Sequence, residues 1–185
     1  VRVSPYHSTA VALSGEIAAL ESHLRESGAG MVTIATAESA TAGGIARYLT
    51  EIAGASDYVL GGVVAYSNLA KHRLLGVTLS TLERFGAVSV EVAEQMAQGG
   101  RRTLGAAVCV ADTGIAGPGG ATLQKPVGLF YIALATPEGC SAQRFDFPGS
   151  RECNREAAAE ASLTLLRDYL VQCCVARGVD THDCL

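Results

Sequence analysis

The sequence predicts an α/β fold: a three-layer α/β/α sandwich on a mixed, mostly parallel sheet, with a C-terminal β-hairpin followed by a helix. Three observations predict it. Short apolar runs alternate with helical apolar spacings in the order β-α-β-α-β, then β-β-α. Only 5% of the residues are aromatic while 49% are hydrophobic, a surplus of small apolar side chains that suits closely packed helix and sheet layers. The length, 185 residues, fits one domain able to bury a core. A single domain is expected over 13–173, between a loose N-terminal tail at 1–12 and a C-terminal tail at 174–185.

Taken in order, Ile17, Leu20 and Leu24 give residues 13–27 a helical apolar face that stops at Gly28. Residues 31–37 read as the first strand, which ends in the polar turn Glu38-Ser39-Ala40-Thr41-Ala42. A helix follows over about 43–52, with Ile45, Leu49 and Ile52 on one face. Residues 58–66 read as a second strand, in which Gly61-Gly62 marks a bulge or a close backbone approach. Asn68 is placed to cap a short helix carrying Lys71, Leu74 and Leu75. Ser80-Thr81-Leu82-Glu83 has the capping-box pattern and opens another short helix. Ser89 caps a longer one with Val92, Met96 and Leu104 on its apolar side. Residues 106–111 form a third strand and run into a loop containing Gly114, Gly117, Gly119 and Gly120. Residues 127–136 and 141–147 flank Pro137-Glu138-Gly139, a hairpin, so the sheet is expected to be mixed. The last helix, about 151–173, packs Ala158, Ala161, Leu165 and Leu166 inward.

Several function classes fall away. A formal net charge of −4 without a basic patch gives no electrostatic case for a nucleic-acid partner. No apolar run approaches the roughly 20 residues that span a bilayer, so no membrane partner is expected. The N-terminus lacks a basic segment followed by an apolar one, so no signal peptide is expected and a cytoplasmic location is. The six cysteines include no C-x-x-C pair and no clustered histidine, which favours free thiols over a metal site.

Candidate chemistry gathers at the first turn. A strand that turns directly into a helix places its turn residues at the carboxyl edge of the sheet, beside free N–H groups and the positive end of the helix dipole. Glu38, Ser39 and Thr41 stand there. Serine is a favoured N-cap, and that reading competes with a nucleophile, whose hydroxyl needs a base to take its proton. Histidine is poorly placed: His7 and His182 fall in the tails and His23 on an exposed helix position, leaving only His72. Of fourteen Lys and Arg residues only Lys71 and Lys125 are lysines. Arginine keeps its proton near neutral pH, whereas a desolvated lysine can lose it. Lys71, just after a strand end, is thus either the base for Ser39 or a solvated surface lysine. Ser67, four residues before Lys71 on the same helix, is a rival nucleophile.

Asp112, Thr113 and Gly114 leave the third strand beside the first, where Thr113 could donate to a substrate or an oxyanion. The glycine-rich loop matches neither the P-loop nor the dinucleotide fingerprint. Arg151 and Arg155 stand one turn apart at the start of the last helix, opposing its dipole, an arrangement that makes sense if an anion such as a phosphate binds between them.

These motifs converge. Ala37-Glu38-Ser39-Ala40-Thr41-Ala42-Gly43, Val64-Ala65-Tyr66-Ser67-Asn68 with Lys71, Gly86-Ala87-Val88-Ser89, Thr113 to Gly120 with Lys125-Pro126-Val127-Gly128, and Gly149-Ser150-Arg151 with Arg155 together resemble the C-terminal domain of the competence/damage-inducible protein CinA. That domain also occurs alone as a nicotinamide-mononucleotide amidohydrolase. The resemblance runs from about Val32 to Tyr169. It implies hydrolysis of the carboxamide of nicotinamide mononucleotide to nicotinate mononucleotide and ammonia, without metal or cofactor. By the same resemblance Ser39 matches the nucleophile, Lys71 its base and Tyr66 a tyrosine lining the site, expected to join the catalytic set by orienting Lys71 or the serine hydroxyl. Thr113 and Gly114 match the start of the substrate loop, and Arg151 falls in a Gly-x-Arg segment. Glu38, Thr41, Ala42, Gly43, Lys125 and Arg155 complete the expected substrate-binding set, with Lys125 or Arg155 joining Arg151 on the phosphate. The expected partners are the mononucleotide and a second copy of the chain in a homodimer. Two departures stand out: Ala42 replaces a usual glycine, and Asp112 replaces a usually small or apolar residue. The N-terminal domain of full-length CinA has no counterpart in these residues.

Overall fold

A computed structural model describes residues 5–182. Its five-stranded sheet has the order β2-β1-β3-β4-β5. The strands are β1 (Ile34–Glu38), β2 (Val59–Val64), β3 (Val108–Gly114), β4 (Leu129–Ala135) and β5 (Cys140–Asp146). β1 pairs in parallel with β2 and β3, while β3–β4 and β4–β5 are antiparallel, so β4 alone runs against the rest. The mixed sheet and its C-terminal hairpin are as the sequence predicts.

The helices are α1 (Pro5–Glu26), α2 (Gly44–Thr50), α3 (Asn68–Leu75), α4 (Leu79–Phe85), α5 (Val90–Leu104) and α6 (Arg151–Ala176). They cover both faces. On one, Ile17, Leu20 and Leu24 of α1, Ile45 and Leu49 of α2, and Leu163, Leu166 and Leu170 of α6 enclose Ile34, Val108, Val110 and Ile132. On the other, Leu75, Leu82, Val92 and Met96 from α3, α4 and α5 pack on Ala35, Ala37, Cys109, Ala111 and Ala133. Small residues let α5 lie close: a β-carbon at Gly99 would stand 1.9 Å from the Leu75 carbonyl oxygen. The alternation of strand residues between these clusters is the period-two pattern of a doubly covered sheet.

Several expected boundaries move. The N-terminal tail is largely helix: α1 begins at Pro5, and Ala10 is fully buried, because its seam continues one turn beyond Leu13 onto α6. Likewise α6 runs past Cys173 to Ala176, and Cys174 is buried in the same seam rather than in a tail. Residues 1–4 and 183–185, including Cys184, lie outside the described residues. Two caps shift as well. Ser67, not Asn68, caps α3 by accepting from Ala70 N, and Thr78, not Ser80, caps α4 by accepting from Thr81 N. Ser89 caps α5 as expected.

Candidate active site

Parity along β1 decides what its turn presents. Thr36 and Glu38 share the face of Ile34, toward α2, whereas Ala35 and Ala37 face α5. Ser39 follows the chain out of the strand and meets α3, which lies on the α5 side. There Lys71, only 2% exposed, places Nζ 2.7 Å from Ser39 Oγ. Nζ also reaches Ala65 O at 3.0 Å and Tyr66 O at 3.5 Å. An ammonium donates to all three oxygens; a neutral amine donates to the two carbonyls and offers its lone pair to the serine proton. Burial pulls the Lys71 pKa below the ordinary lysine value, with the Asp112 charge pulling the other way.

The pair opens into a cavity of about 220 Å³ lined by Ser39, Tyr66, Asn68, Lys71, Thr113, Gly114, Ala116 and Arg151, among others. The structure thus brings Ser39, Lys71, Tyr66, Thr113, Gly114 and Arg151 together. Tyr66 is 61% exposed and its hydroxyl accepts from Arg151 Nη2 at 3.1 Å; only its main-chain oxygen approaches Lys71. Thr113 spends its hydroxyl proton on Ala87 O, so it borders the cavity as an acceptor.

The remaining expected residues lie outside that cavity. Glu38 is fully buried and caps the turn from within: its carboxylate accepts from Thr36, Thr41 and the amides of Gly43, Ile45 and Ala46. Thr41, Ala42, Gly43 and Arg155 line a neighbouring cleft of about 380 Å³ between α2 and α6, which shares Arg151 with the cavity. Arg155 donates to Ala40 O and Thr41 O and so holds the turn. Lys125 reaches Phe85 O and Val88 O, tying the glycine-rich loop to the α4–α5 connection.

The amides of Ser39, Ala40, Thr41, Gly43, Ile45 and Ala46 are not free to receive an oxyanion, because Asp112 accepts the first three and Glu38 the last three. Burial pushes Asp112 up to about 6, opposed by the Thr41 hydroxyl and reinforced by the Glu38 charge. In the sequence Asp112 is marked only by its place at the end of the third strand and by replacing a usually small or apolar residue. Ala42 adopts φ 52, in the left-handed region that the glycine it replaces enters freely. Among the described residues, no cluster of three His, Cys, Asp or Glu side chains is arranged to hold a metal ion, and no helix is long and apolar enough to cross a membrane.

Residues 17–170 match the model of the CinA C-terminal domain. The chain belongs to the CinA C-terminal domain family. Among curated relatives it is 52% identical over 141 residues to a CinA-like protein of Desulfotalea psychrophila, covering 76% of this chain and 34% of that protein. A CinA-like protein of Mycolicibacterium vanbaalenii is 53% identical over 139 residues, 75% of this chain and 33% of the relative. The chain therefore spans about a third of the length of these relatives. Among solved structures, the competence/damage inducible protein CihA of Agrobacterium tumefaciens superposes with a TM-score of 0.79 at 39% identity, covering 87% of this chain and 96% of its own. A CinA superfamily protein of Klebsiella pneumoniae gives a TM-score of 0.80 at 29% identity, covering 88% of this chain and 98% of its own. The family's α/β domain thus extends over nearly all of α1 to α6.

Proposed function

We propose that this domain hydrolyses the carboxamide of nicotinamide mononucleotide to nicotinate mononucleotide and ammonia. The observation that carries the reading is a buried amine in hydrogen-bond contact with a serine hydroxyl at the floor of a cavity. Ser39 Oγ attacks the carboxamide carbon as Lys71 Nζ takes its proton. The resulting ammonium passes a proton to the leaving nitrogen, ammonia departs, and water hydrolyses the Ser39 ester with Lys71 again as base. Because those six amides are engaged, the oxyanion is assigned to Asn68, which lines the cavity and makes no side-chain hydrogen bond among the described residues.

Charge supports an anionic substrate. Arg25, Arg47, Arg144 and Arg167 are paired with carboxylates, whereas Arg151, Arg155 and Lys125 bind only carbonyl or phenol oxygens. Arg151, on the cavity wall, is the cation assigned to the phosphate. The same reading takes the chain to act as a cytoplasmic homodimer. A second reading, a mononucleotide-binding module without turnover, is favoured by the left-handed Ala42 beside the nucleophile.

Ammonia release from nicotinamide mononucleotide, its riboside and nicotinamide, beside a binding measurement on the same sample, tests the proposal. Turnover of the mononucleotide with both unphosphorylated compounds poor supports it. Binding without ammonia supports the second reading instead.

A further inference from the structure

Two carboxyl groups lie side by side beneath the nucleophile's turn. Glu38 and Asp112 follow the Ala37–Ala111 pair on neighbouring parallel strands, and both are fully buried. Five donors converge on Glu38: the hydroxyls of Thr36 and Thr41 and the amides of Gly43, Ile45 and Ala46. On Asp112, Oδ1 accepts from Ser39 N at 3.1 Å, and Oδ2 from Ala40 N at 2.9 Å and Thr41 N at 3.2 Å. Thr41 Oγ1 is within hydrogen-bond reach of both Glu38 Oε2 and Asp112 Oδ1. A hydroxyl has one proton and serves one carboxylate at a time. With Asp112 protonated, its proton goes to Thr41 Oγ1 and the Thr41 proton to Glu38; with Asp112 ionised, Thr41 must choose between the two. Both states keep the three amides in place.

We propose that Asp112 is a positioning residue for Ser39 and Lys71: it fixes the nucleophile's turn through three main-chain amides, and its charge sets the pH at which Lys71 becomes a free base. The second half rests on the reading of Lys71 as the base. Among the described residues Asp112 makes no hydrogen bond to Nζ, so its charge acts through space, favouring the ammonium. The groups around Asp112 are Glu38 on β1, Lys71 on α3, and Arg155 on α6, whose guanidinium grips the carbonyls of Ala40 and Thr41. Across the register β4 offers only the apolar Ile132. Glu38 and burial resist ionisation of Asp112, yet at about 6 it is charged through the neutral range, where Lys71 must shed its proton. The site therefore trades some of the basicity window for a rigid nucleophile.

The sequence makes this measurable, because Lys71 and Lys125 are its only lysines. Protein labelled with carbon-13 at lysine Cε gives two side-chain signals, which Lys125→Arg assigns. The Lys71 midpoint is read without substrate, so the outcome is independent of whether nicotinamide mononucleotide is hydrolysed. Asparagine is a neutral near-isostere whose Oδ1 can keep the Ala40 and Thr41 amides while Nδ2 donates to Thr41 Oγ1, at the loss of the Ser39 amide's acceptor. In Asp112→Asn the Lys71 midpoint falls by about one pH unit or more. The acidic limb of kcat/KM for ammonia release moves down with it, which a merely structural role would not produce. An unchanged or raised midpoint in the folded variant overturns the proposal. If the variant does not fold, the wild-type protein decides: the Lys71 signal must show a second inflection that coincides with the Asp112 Cγ titration, wherever that falls. A Lys71 signal flat through that titration overturns the proposal equally.

Discussion

Replacing Lys71 by methionine separates what the amine does for the fold from what it does for chemistry. Methionine keeps the unbranched stem in a site that is 2% exposed, and removes the donor and the charge. Two opposed effects follow. Ala65 O, 3.0 Å from Nζ and on a fully buried residue, loses this donor, at a cost of about 1–3 kcal/mol. Against this, the fold no longer carries a desolvated lysine, and each unit by which burial lowers a pKa is worth about 1.4 kcal/mol. The terms have opposite sign, so Lys71→Met should cost no more neutral-pH stability than the about 1–3 kcal/mol of the lost donor. Activity should fall by about a thousandfold or more, since the serine loses its base. The pH dependence supplies an independent check. Unfolded lysine holds its proton up to about 10.4, while native Lys71 releases it at lower pH. Between those values the unfolded state binds more protons, so parent stability rises with pH, by at most about 1.4 kcal/mol per unit. The methionine variant lacks that rise. Urea unfolding of both proteins from pH 7 to 10, beside ammonia release, reads both quantities. Identical pH slopes, or activity within tenfold of the parent, would refute the reasoning.

Arg151→Ala should raise KM for the mononucleotide about tenfold or more while leaving kcat/KM for the riboside nearly unchanged, because its guanidinium is committed to no carboxylate; steady-state kinetics on both substrates check this. Ala42→Gly should stabilise the protein by up to about 1 kcal/mol, the left-handed strain at φ 52 less the entropy of glycine, read as a shift in urea midpoint. Burial raises Glu21 from 4.5 to about 7, so the native state holds a proton that the unfolded state has released, and stability falls as pH rises through that window. Glu21→Gln should remove the fall and gain roughly 2 kcal/mol at pH 8 over the parent, with unfolding at pH 5 and 8 as the comparison.

The sequence exposed the reacting pair because both members leave local marks. Ser39 sits where an apolar run meets a helical spacing, and Lys71 is conspicuous in a chain that otherwise uses arginine. Their partners leave no such mark. Asp112 reaches its amides across 71 to 73 positions, and only the pairing of β1 with β3 brings them together. Glu38 looks like an exposed turn residue until the donors around it are counted. Arg155 and Lys125 were legible as cations, but a side chain that ends on a carbonyl cannot be told from one that awaits a phosphate without coordinates. The caps moved by one or two residues because Ser67 and Thr78 are as able to cap as Asn68 and Ser80, and packing chooses between them. The reach of α1 and α6 was hidden for another reason: polar residues at 7–9 and cysteines at 173–174 interrupt an apolar spacing that continues in space.

The most direct test of the central claim is the rate of ammonia release from nicotinamide mononucleotide by Ser39→Ala beside the parent protein. The account predicts robust release by the parent and a loss of at least about a thousandfold in the variant, with the mononucleotide still bound. Release by Ser39→Ala within tenfold of the parent would contradict it.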